Sequence, residues 1–547
     1  IKAALALHHK VLPPTINVKR PSAEVMRDPA SPVYVNAEAR PWIPRGAVRR
    51  AGVNSFGFGG TNFHAVLEEY TGEQAASGFA LQTWPCELFI WQGNSADQVA
   101  KLAGSFLQAL TNLTSAPTLR DLARQVDQVR TKGSYRLAIV AENVNDLRDK
   151  LATALKQVAT GTPAFKDPRG IYVGSASRAA ADKIAFLFPG QGSQRPDMMR
   201  DLAILFPELR DGLARADVLL KDRLDKRLSD YMYPPARFSE AEEAEAMRAI
   251  TVTNIAQPSL GVTEIGMHKI LGQLGIKPDM TAGHSSGEYS ALCASGVFPE
   301  DTLYEILEDR GSSILKSATG DLGTMMAVKG KASDLKTIIK DVPGVYVANF
   351  NSPSQTIISG LKADLEAAAK KLEAAGLKCR FIPVSCAFHS PIIQPARDFL
   401  GRKLKAIDYQ KPTTPVYSNL LAAPYPTDQA HLLETLTDHL IGSVRFVEQI
   451  ERMYADGARI FIEVGPGNVL TNLVGQILHD KPHVAVATDA KSPRHDLYQL
   501  MQSLAQLAVA GVDVHLDRFF AGRTITELDA ATLLPVMPPA KQSPVAW

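Results

Sequence analysis

Cysteine is scarce in this chain, with 4 among 547 residues. Cys86, Cys293, Cys379 and Cys386 are scattered and form no C-x-x-C pair. That argues against a disulfide framework and a structural zinc site, and it suits a reducing, cytoplasmic setting. Cys386 and His389 stand close in sequence, but two ligands do not make a metal site, so no metal is expected. Long hydrophobic runs are missing too, so no membrane span is expected. Charge of one sign is not in excess: the formal net charge is +2. Neither a nucleic-acid footprint nor a basic membrane-binding run is present. What remains is the composition of an ordinary globular protein, 45% hydrophobic and 21% charged. The length calls for several cores rather than one. The chain opens on Ile1-Lys2-Ala3-Ala4-Leu5, which reads as a helix already under way with no N-cap and no signal-peptide n-region. The expectation is a section of a longer protein.

Against that plain background one pentapeptide stands out, Gly283-His284-Ser285-Ser286-Gly287. It is a G-x-S-x-G signature between a short strand-like approach and a helix-like run beginning at Glu288. Strand, sharp turn and helix together lift a serine hydroxyl out of a sheet. The helix N-terminus offers N–H groups and a positive dipole end where an oxyanion forms. The chemistry this suggests is acyl transfer or acyl hydrolysis through an acyl-serine. A lone motif of this kind is about as often a plain glycine-rich turn, and its context carries the weight here.

Periodicity divides the chain into stretches. Residues 1–70 carry one helix, then Pro-punctuated extended chain, then a glycine cluster at 52–60 that runs into a strand near Asn62. The cluster is not G-x-G-x-x-G and opens no helix, so a phosphate site is not expected. Residues 71–181 read as a small α/β linker domain, with strands near 87–91, 135–140 and 170–173 and helices over 95–110 and 144–158. Residues 182–490 alternate helices with short apolar strands, the pattern of a parallel sheet covered by helices. Strands near 324–328, 344–349, 356–360 and 379–384, with a helix over 362–375, predict an inserted ferredoxin-like subdomain at about 318–384. Residues 491–547 predict one amphipathic helix over 497–510 and a Pro-rich end that cannot be helical.

A serine nucleophile needs a base and an oxyanion hole. His389, just after a strand and just before Ser390-Pro391, is the best placed of the 12 histidines. His284 is read as structural, since a sharp turn sends it away from the serine. Arg310 lies on a helix expected over 301–316, and a guanidinium fork pairs with a carboxylate at two points. Taken singly, an arginine among many charges is usually a solvated helix residue.

The run Phe188-Pro189-Gly190-Gln191-Gly192-Ser193-Gln194, then Gln257-Pro258, the Ser285 pentapeptide and Arg310-Gly311 resemble the malonyl-CoA:acyl carrier protein acyltransferase family. Asn349-Phe350-Asn351-Ser352-Pro353, Phe388-His389-Ser390 and Glu463-Val464-Gly465-Pro466-Gly467 continue that resemblance in order, and residues 51–69 resemble the C-terminal end of a ketosynthase. Together they resemble the ketosynthase–linker–acyltransferase section of a type I polyketide synthase. The fold this implies is an α/β-hydrolase-like acyltransferase core with a ferredoxin-like insertion, preceded by a linker domain and a ketosynthase remnant.

The same resemblance implies roles. Ser285 is the nucleophile and His389 its base. The backbone N–H groups of Gln191 and Ser286 form the oxyanion hole. Arg310 holds the malonyl carboxylate, and Gln257 and Asn351 line the pocket. The carbonyl of Arg445 orients the base in place of an Asp. Phe388 before the base favours malonyl over methylmalonyl, because the ring fills the space of a 2-methyl group. The chain departs from the family at Cys386, where His or Tyr is usual, at Ser443, where Pro is common, and in the tail that ends at Trp547. No cofactor is expected. Acyl-CoA is the substrate, and phosphopantetheine is carried by an acyl carrier protein partner. The rest of the synthase, including the ketosynthase, is the other expected partner, and no condensing activity is expected of this section. Three other readings remain open: the same transfer with methylmalonyl or another acyl unit, a serine esterase or thioesterase of the α/β-hydrolase type, and a non-catalytic fragment that docks a carrier protein.

Overall fold

The computed structural model describes residues 1–22, 33–46, 48–72, 81–114, 117–161, 164–175, 182–316, 321–384, 386–492 and 494–536. The chain forms two compact units. The first comprises residues 1–70, 181–270 and 277–491, and the second residues 71–180, 271–276 and 492–547. The segment after residue 491, read from sequence as a tail of its own, is thus counted with the 71–180 stretch. The Pro-rich end with Trp547 lies outside the described residues.

The second unit is built on a four-stranded antiparallel sheet in the order Glu87–Gly93, Tyr135–Ala141, Ile171–Ser175, Ala164–Asp167. The first two strands are buried along their whole length, which explains their near-continuous apolar runs. Its helices start where a side chain can satisfy a free N–H. Ser95, Thr118 and Asn143 cap Ala96–Asn112, Leu119–Gln128 and Val144–Ala159. The tail helix Asp496–Val509 belongs here for a chemical reason. Arg136, in the second strand, donates to Ala508 O at 2.8 Å and Val512 O at 2.7 Å, placing its charge at that helix's negative end. The helix Leu119–Gln128 and the strand Ala164–Asp167 are additions to the sequence reading.

The first unit carries a five-stranded parallel sheet in the order Val416–Tyr417, Met280–Gly283, Lys183–Phe188, Ala458–Pro466, Val484–Asp489. Ala185, Leu187, Ala282 and Phe461 from the sheet pack with Phe446, Ile450 and Val474 in one core. A second sheet is antiparallel, in the order Val345–Ser352, Gln355–Gly360, Thr324–Lys329, Lys378–Ile382. With the helices Ala332–Ile338 and Lys362–Ala374 it is the expected ferredoxin-like subdomain, around a core of its own. The glycine cluster near the N-terminus joins Arg50–Phe56 to Asn62–Glu68 in a two-stranded antiparallel ribbon, almost wholly exposed. Among the described residues no helix is long and apolar enough to cross a membrane.

Candidate active site

The strand Met280–Gly283 ends at the C-terminal edge of the parallel sheet, where open α/β sheets place their sites. The chain turns through Ser285, at φ 52°, and enters the helix Gly287–Ala294. The turn is tight enough to exclude side chains at two points. A Cβ on Gly283 falls 2.0 Å from the Gly287 carbonyl carbon, and one on Gly287 falls 2.1 Å from Phe188 O. The loop after Lys183–Phe188 closes over the turn just as tightly, since a Cβ on Gly190 meets His284 O at 2.3 Å. The glycines of the motif are therefore required by close approach.

Four predicted residues meet here. Ser285 Oγ lies 2.8 Å from His389 Nε2 and 3.4 Å from Arg310 Nη2. The Phe388 ring lies 6.0 Å from the Arg310 guanidinium, and the Tyr289 ring 5.6 Å from it. Arg310 is 1% exposed, and among the described residues no carboxylate forms an ion pair with it and its Nε has no hydrogen-bond partner. It reaches the site because Gly311 lets the helix Glu300–Lys316 press against Asn254, whose Cα lies 2.3 Å from where a Gly311 Cβ falls.

His389 is held from behind, and here the sequence expectation needs correction. Its Nδ1 lies 2.9 Å from Gly442 O and 3.2 Å from His439 O, not against Arg445 O. Arg445 caps the helix Phe446–Ala455, and its carbonyl accepts the Gln449 N–H at 2.9 Å, so helix formation engages it. Carbonyls only accept, so Nδ1 carries the proton and Nε2 presents its lone pair to the serine hydroxyl. Burial, and then the positive charge of Arg310, pull the imidazole down to about 3, so the ring is neutral at ordinary pH.

The remaining predicted residues sit around this core. Among the described residues the Gln191 and Ser286 amide N–H groups have no hydrogen-bond partner. Gln191 and Asn351 line a cleft of about 870 Å3 that also touches His284 and the ferredoxin-like strands. Asn351 Oδ1 lies 2.8 Å from His284 Nε2, which gives the histidine beside Ser285 a partner of its own. Gln257 is fully buried and meets the site through Gln191, at 3.5 Å. Among the described residues no group of side chains is arranged to hold a metal ion.

Sequence reasoning missed Glu288, Asn419, His439 and Gly442. Glu288 is fully buried next to the nucleophile's turn, bonded to the Asn419 N–H and the Tyr425 hydroxyl, and burial pushes its carboxyl up to about 8. Asn419 follows the sheet's edge strand Val416–Tyr417, a position the strand-end rule points to.

With this geometry in hand, comparison with known proteins gives consistent results. The acyl transferase domain family matches residues 185–514, and the ketoacyl-synthetase C-terminal extension matches residues 27–137. A polyunsaturated fatty acid synthase chain from Thraustochytrium sp. is 34% identical over 543 residues, covering 94% of this chain and 19% of that protein. The chain thus spans about a fifth of that relative's length. Malonyl CoA-acyl carrier protein transacylase of Bacillus subtilis is 37% identical over 313 residues, covering 56% of this chain and 93% of that one. The acyl transferase domain of ZmaA shares the fold, with a TM-score of 0.70 at 22% identity over 82% of this chain and 99% of that one.

Proposed function

The chain belongs to the acyl transferase domain family, and from that premise we propose that it loads a malonyl extender unit from malonyl-CoA onto Ser285 and passes it to an acyl carrier protein. The observation that carries the choice of a carboxylated acyl unit over a neutral one is Arg310. A guanidinium cannot shed its charge, so burying one without an anion is costly unless the anion arrives with the substrate. A free carboxylate on the acyl group fills that place, whereas a neutral acyl chain leaves it empty.

The steps follow from proton positions. His389 Nε2 accepts the Ser285 Oγ proton as Oγ attacks the thioester carbonyl. The Gly442 and His439 carbonyls stabilise the imidazolium through Nδ1–H, the task an Asp performs in a triad. The Gln191 and Ser286 N–H groups receive the developing oxyanion. The imidazolium then protonates the departing CoA thiolate. The phosphopantetheine thiol of the carrier protein repeats the sequence, attacking the acyl-serine with His389 as base, which makes the kinetics ping-pong. The Phe388 ring beside Arg310 restricts the space next to the malonyl C2 and disfavours methylmalonyl. The match to the ketoacyl-synthetase C-terminal extension supports a ketosynthase as the neighbouring partner.

Intact-protein mass after brief exposure to malonyl-, methylmalonyl- and acetyl-CoA in competition tests this reading. The expected result is a malonyl adduct, absent in Ser285→Ala, that moves to added holo carrier protein. Acetyl as the main adduct overturns the role of Arg310. Rapid release to water with no transfer to the carrier protein favours a thioesterase.

A further inference from the structure

Ser285 is held at φ 52°, a conformation that costs a non-glycine residue free energy and persists only when its surroundings impose it. One buried side chain supplies that constraint. Asn419 is 0% exposed and spends its polar groups on the turn. Its Oδ1 accepts the Ser285 N–H at 2.7 Å, and its Nδ2 donates to Gly283 O at 2.6 Å. Its own N–H donates to Glu288 Oε2 at 2.5 Å. One residue therefore grips the strand end, the nucleophile and the first turn of the following helix.

The same residue also grips the segment that orients the base. Asn419 O accepts the Arg445 N–H at 3.0 Å, and the His439 Nε2 lies 3.3 Å from its Oδ1. His439 and Gly442 in that segment supply the carbonyls that hold His389. Gln449 fixes the direction of the amide, accepting from Asn419 Nδ2 at 3.1 Å while donating to Tyr417 O at 2.7 Å. The chemistry demands an amide. A planar group must accept from one backbone N–H and donate to one backbone carbonyl, which neither a carboxylate nor a hydrocarbon does.

We propose that Asn419 is the positioning residue of this centre, setting the separation of Ser285 and His389 by tying the nucleophile's turn to the 439–445 segment. It touches no substrate and acts through Ser285 and the base's supports. The proposal rests on the acyl-transfer reading, and its test is built to tell the two apart.

The experiment uses the whole chain and two reagents. Malonyl-CoA reports acylation, and a fluorophosphonate, which needs no malonyl pocket, reports the reactivity of the serine alone. Asn419→Ala is expected to lower the maximal acylation rate and the phosphonylation rate about 100-fold, with half-saturating malonyl-CoA moved less than about threefold. Gln449→Leu, which only frees the amide to turn, is expected to lower both rates about fivefold. The double variant is expected to match Asn419→Ala, because Gln449 works through Asn419. Phosphonylation of Asn419→Ala within about threefold of the parent, or an effect confined to half-saturation, overturns the proposal. Should Asn419→Ala not fold, parent-like rates in Gln449→Leu overturn it equally. A parent that is phosphonylated at Ser285 yet takes no malonyl refutes the malonyl-loading reading and leaves the positioning role to be decided by the phosphonylation rates.

Discussion

Two buried arginines, Arg310 in the first unit and Arg523 in the second, are treated in opposite ways. In the second unit Arg523 has a side chain 0% exposed, and its partner Glu87 is 3% exposed. Its guanidinium forms a two-pronged pair with that carboxylate, donates to Phe519 O at 3.2 Å and to Gln82 O at 3.3 Å, and stacks 4.3 Å from the Trp84 ring. In the first unit Arg310 has two aromatic faces, one long contact to Ser285 and an Nε without a partner among the described residues. The desolvation cost is similar in kind, but of the two only Arg523 meets a carboxylate in an ion pair. A satisfied buried arginine is architecture. In the reading proposed above, the unpaired one beside Ser285 is the receptor for an anion that arrives with the substrate.

The strongest way to break this comparison is Arg310→Met. Malonyl transfer is expected to fall on the order of 1,000-fold in kcat/KM, while acetyl transfer holds or rises, because the empty charge that rejected a neutral acyl group is gone. Resistance to urea is expected to stay level or increase, since an unpaired buried cation has been replaced by a hydrocarbon. The base should report the change as well. Arg310 is the second cause, after burial, of the low pKa of His389, so its removal raises that pKa. The acid limb of the acetyl-transfer profile is then expected at higher pH than in the parent. A variant that keeps its malonyl preference, or that unfolds far more easily, shows that Arg310 is architectural after all.

Arg523→Met is the complementary cut. It leaves Glu87 buried without its cation, and urea unfolding of the second unit is expected to lose about 3–5 kcal/mol. Malonyl transfer per folded molecule is expected to stay unchanged. A loss below about 1 kcal/mol removes the distinction between a paired and an unpaired site.

Of the two arginines only Arg310 was singled out from the sequence, and the structure brings it together with Ser285 and His389. Ser285, Arg310 and His389 were legible because each brings a distinctive side chain at a distinctive place: an elbow motif, a following helix and a strand-to-loop turn. Phe388 was legible as the neighbour of the base. The supports of the base were not, because Gly442 and His439 act through backbone carbonyls, and every residue has one. That is why Arg445, with the more noticeable side chain, was chosen wrongly. Asn419 was hidden by its strand, Val416–Tyr417, which at two residues is too short to show a period of two. The ferredoxin-like insertion was readable from four strands in order, each long enough to count. In the second unit the tail helix was visible as an amphipathic run, but its attachment depends on Arg136, a strand residue far away in sequence. The helix Leu119–Gln128 was missed despite a signal, the cap Thr118 followed by Asp121.

A buried carboxyl extends the comparison and carries the smallest prediction. Glu264 is 1% exposed and, among the described residues, has no cationic partner, and its Oε1 makes no hydrogen bond. Arginine in that position stays charged and requires an anion, whereas a carboxyl has the alternative of keeping its proton. Burial accordingly pushes Glu264 up to about 8, from 4.5 in an unperturbed setting. The sign follows from proton binding. Between those values the unfolded chain has lost the proton and the folded chain has kept it, so stability falls as pH rises. The contribution is complete below about 4.5 and gone above about 8. In Glu264→Gln that dependence disappears. Across this window the difference in unfolding free energy between parent and variant is expected to change by about 1.4 kcal/mol per pH unit, one proton's worth, in the variant's favour at high pH. Parallel curves for the two proteins mean that the carboxyl ionises in the folded state and has found a charge to pair with. Glu264 then joins Arg523 rather than standing with Arg310.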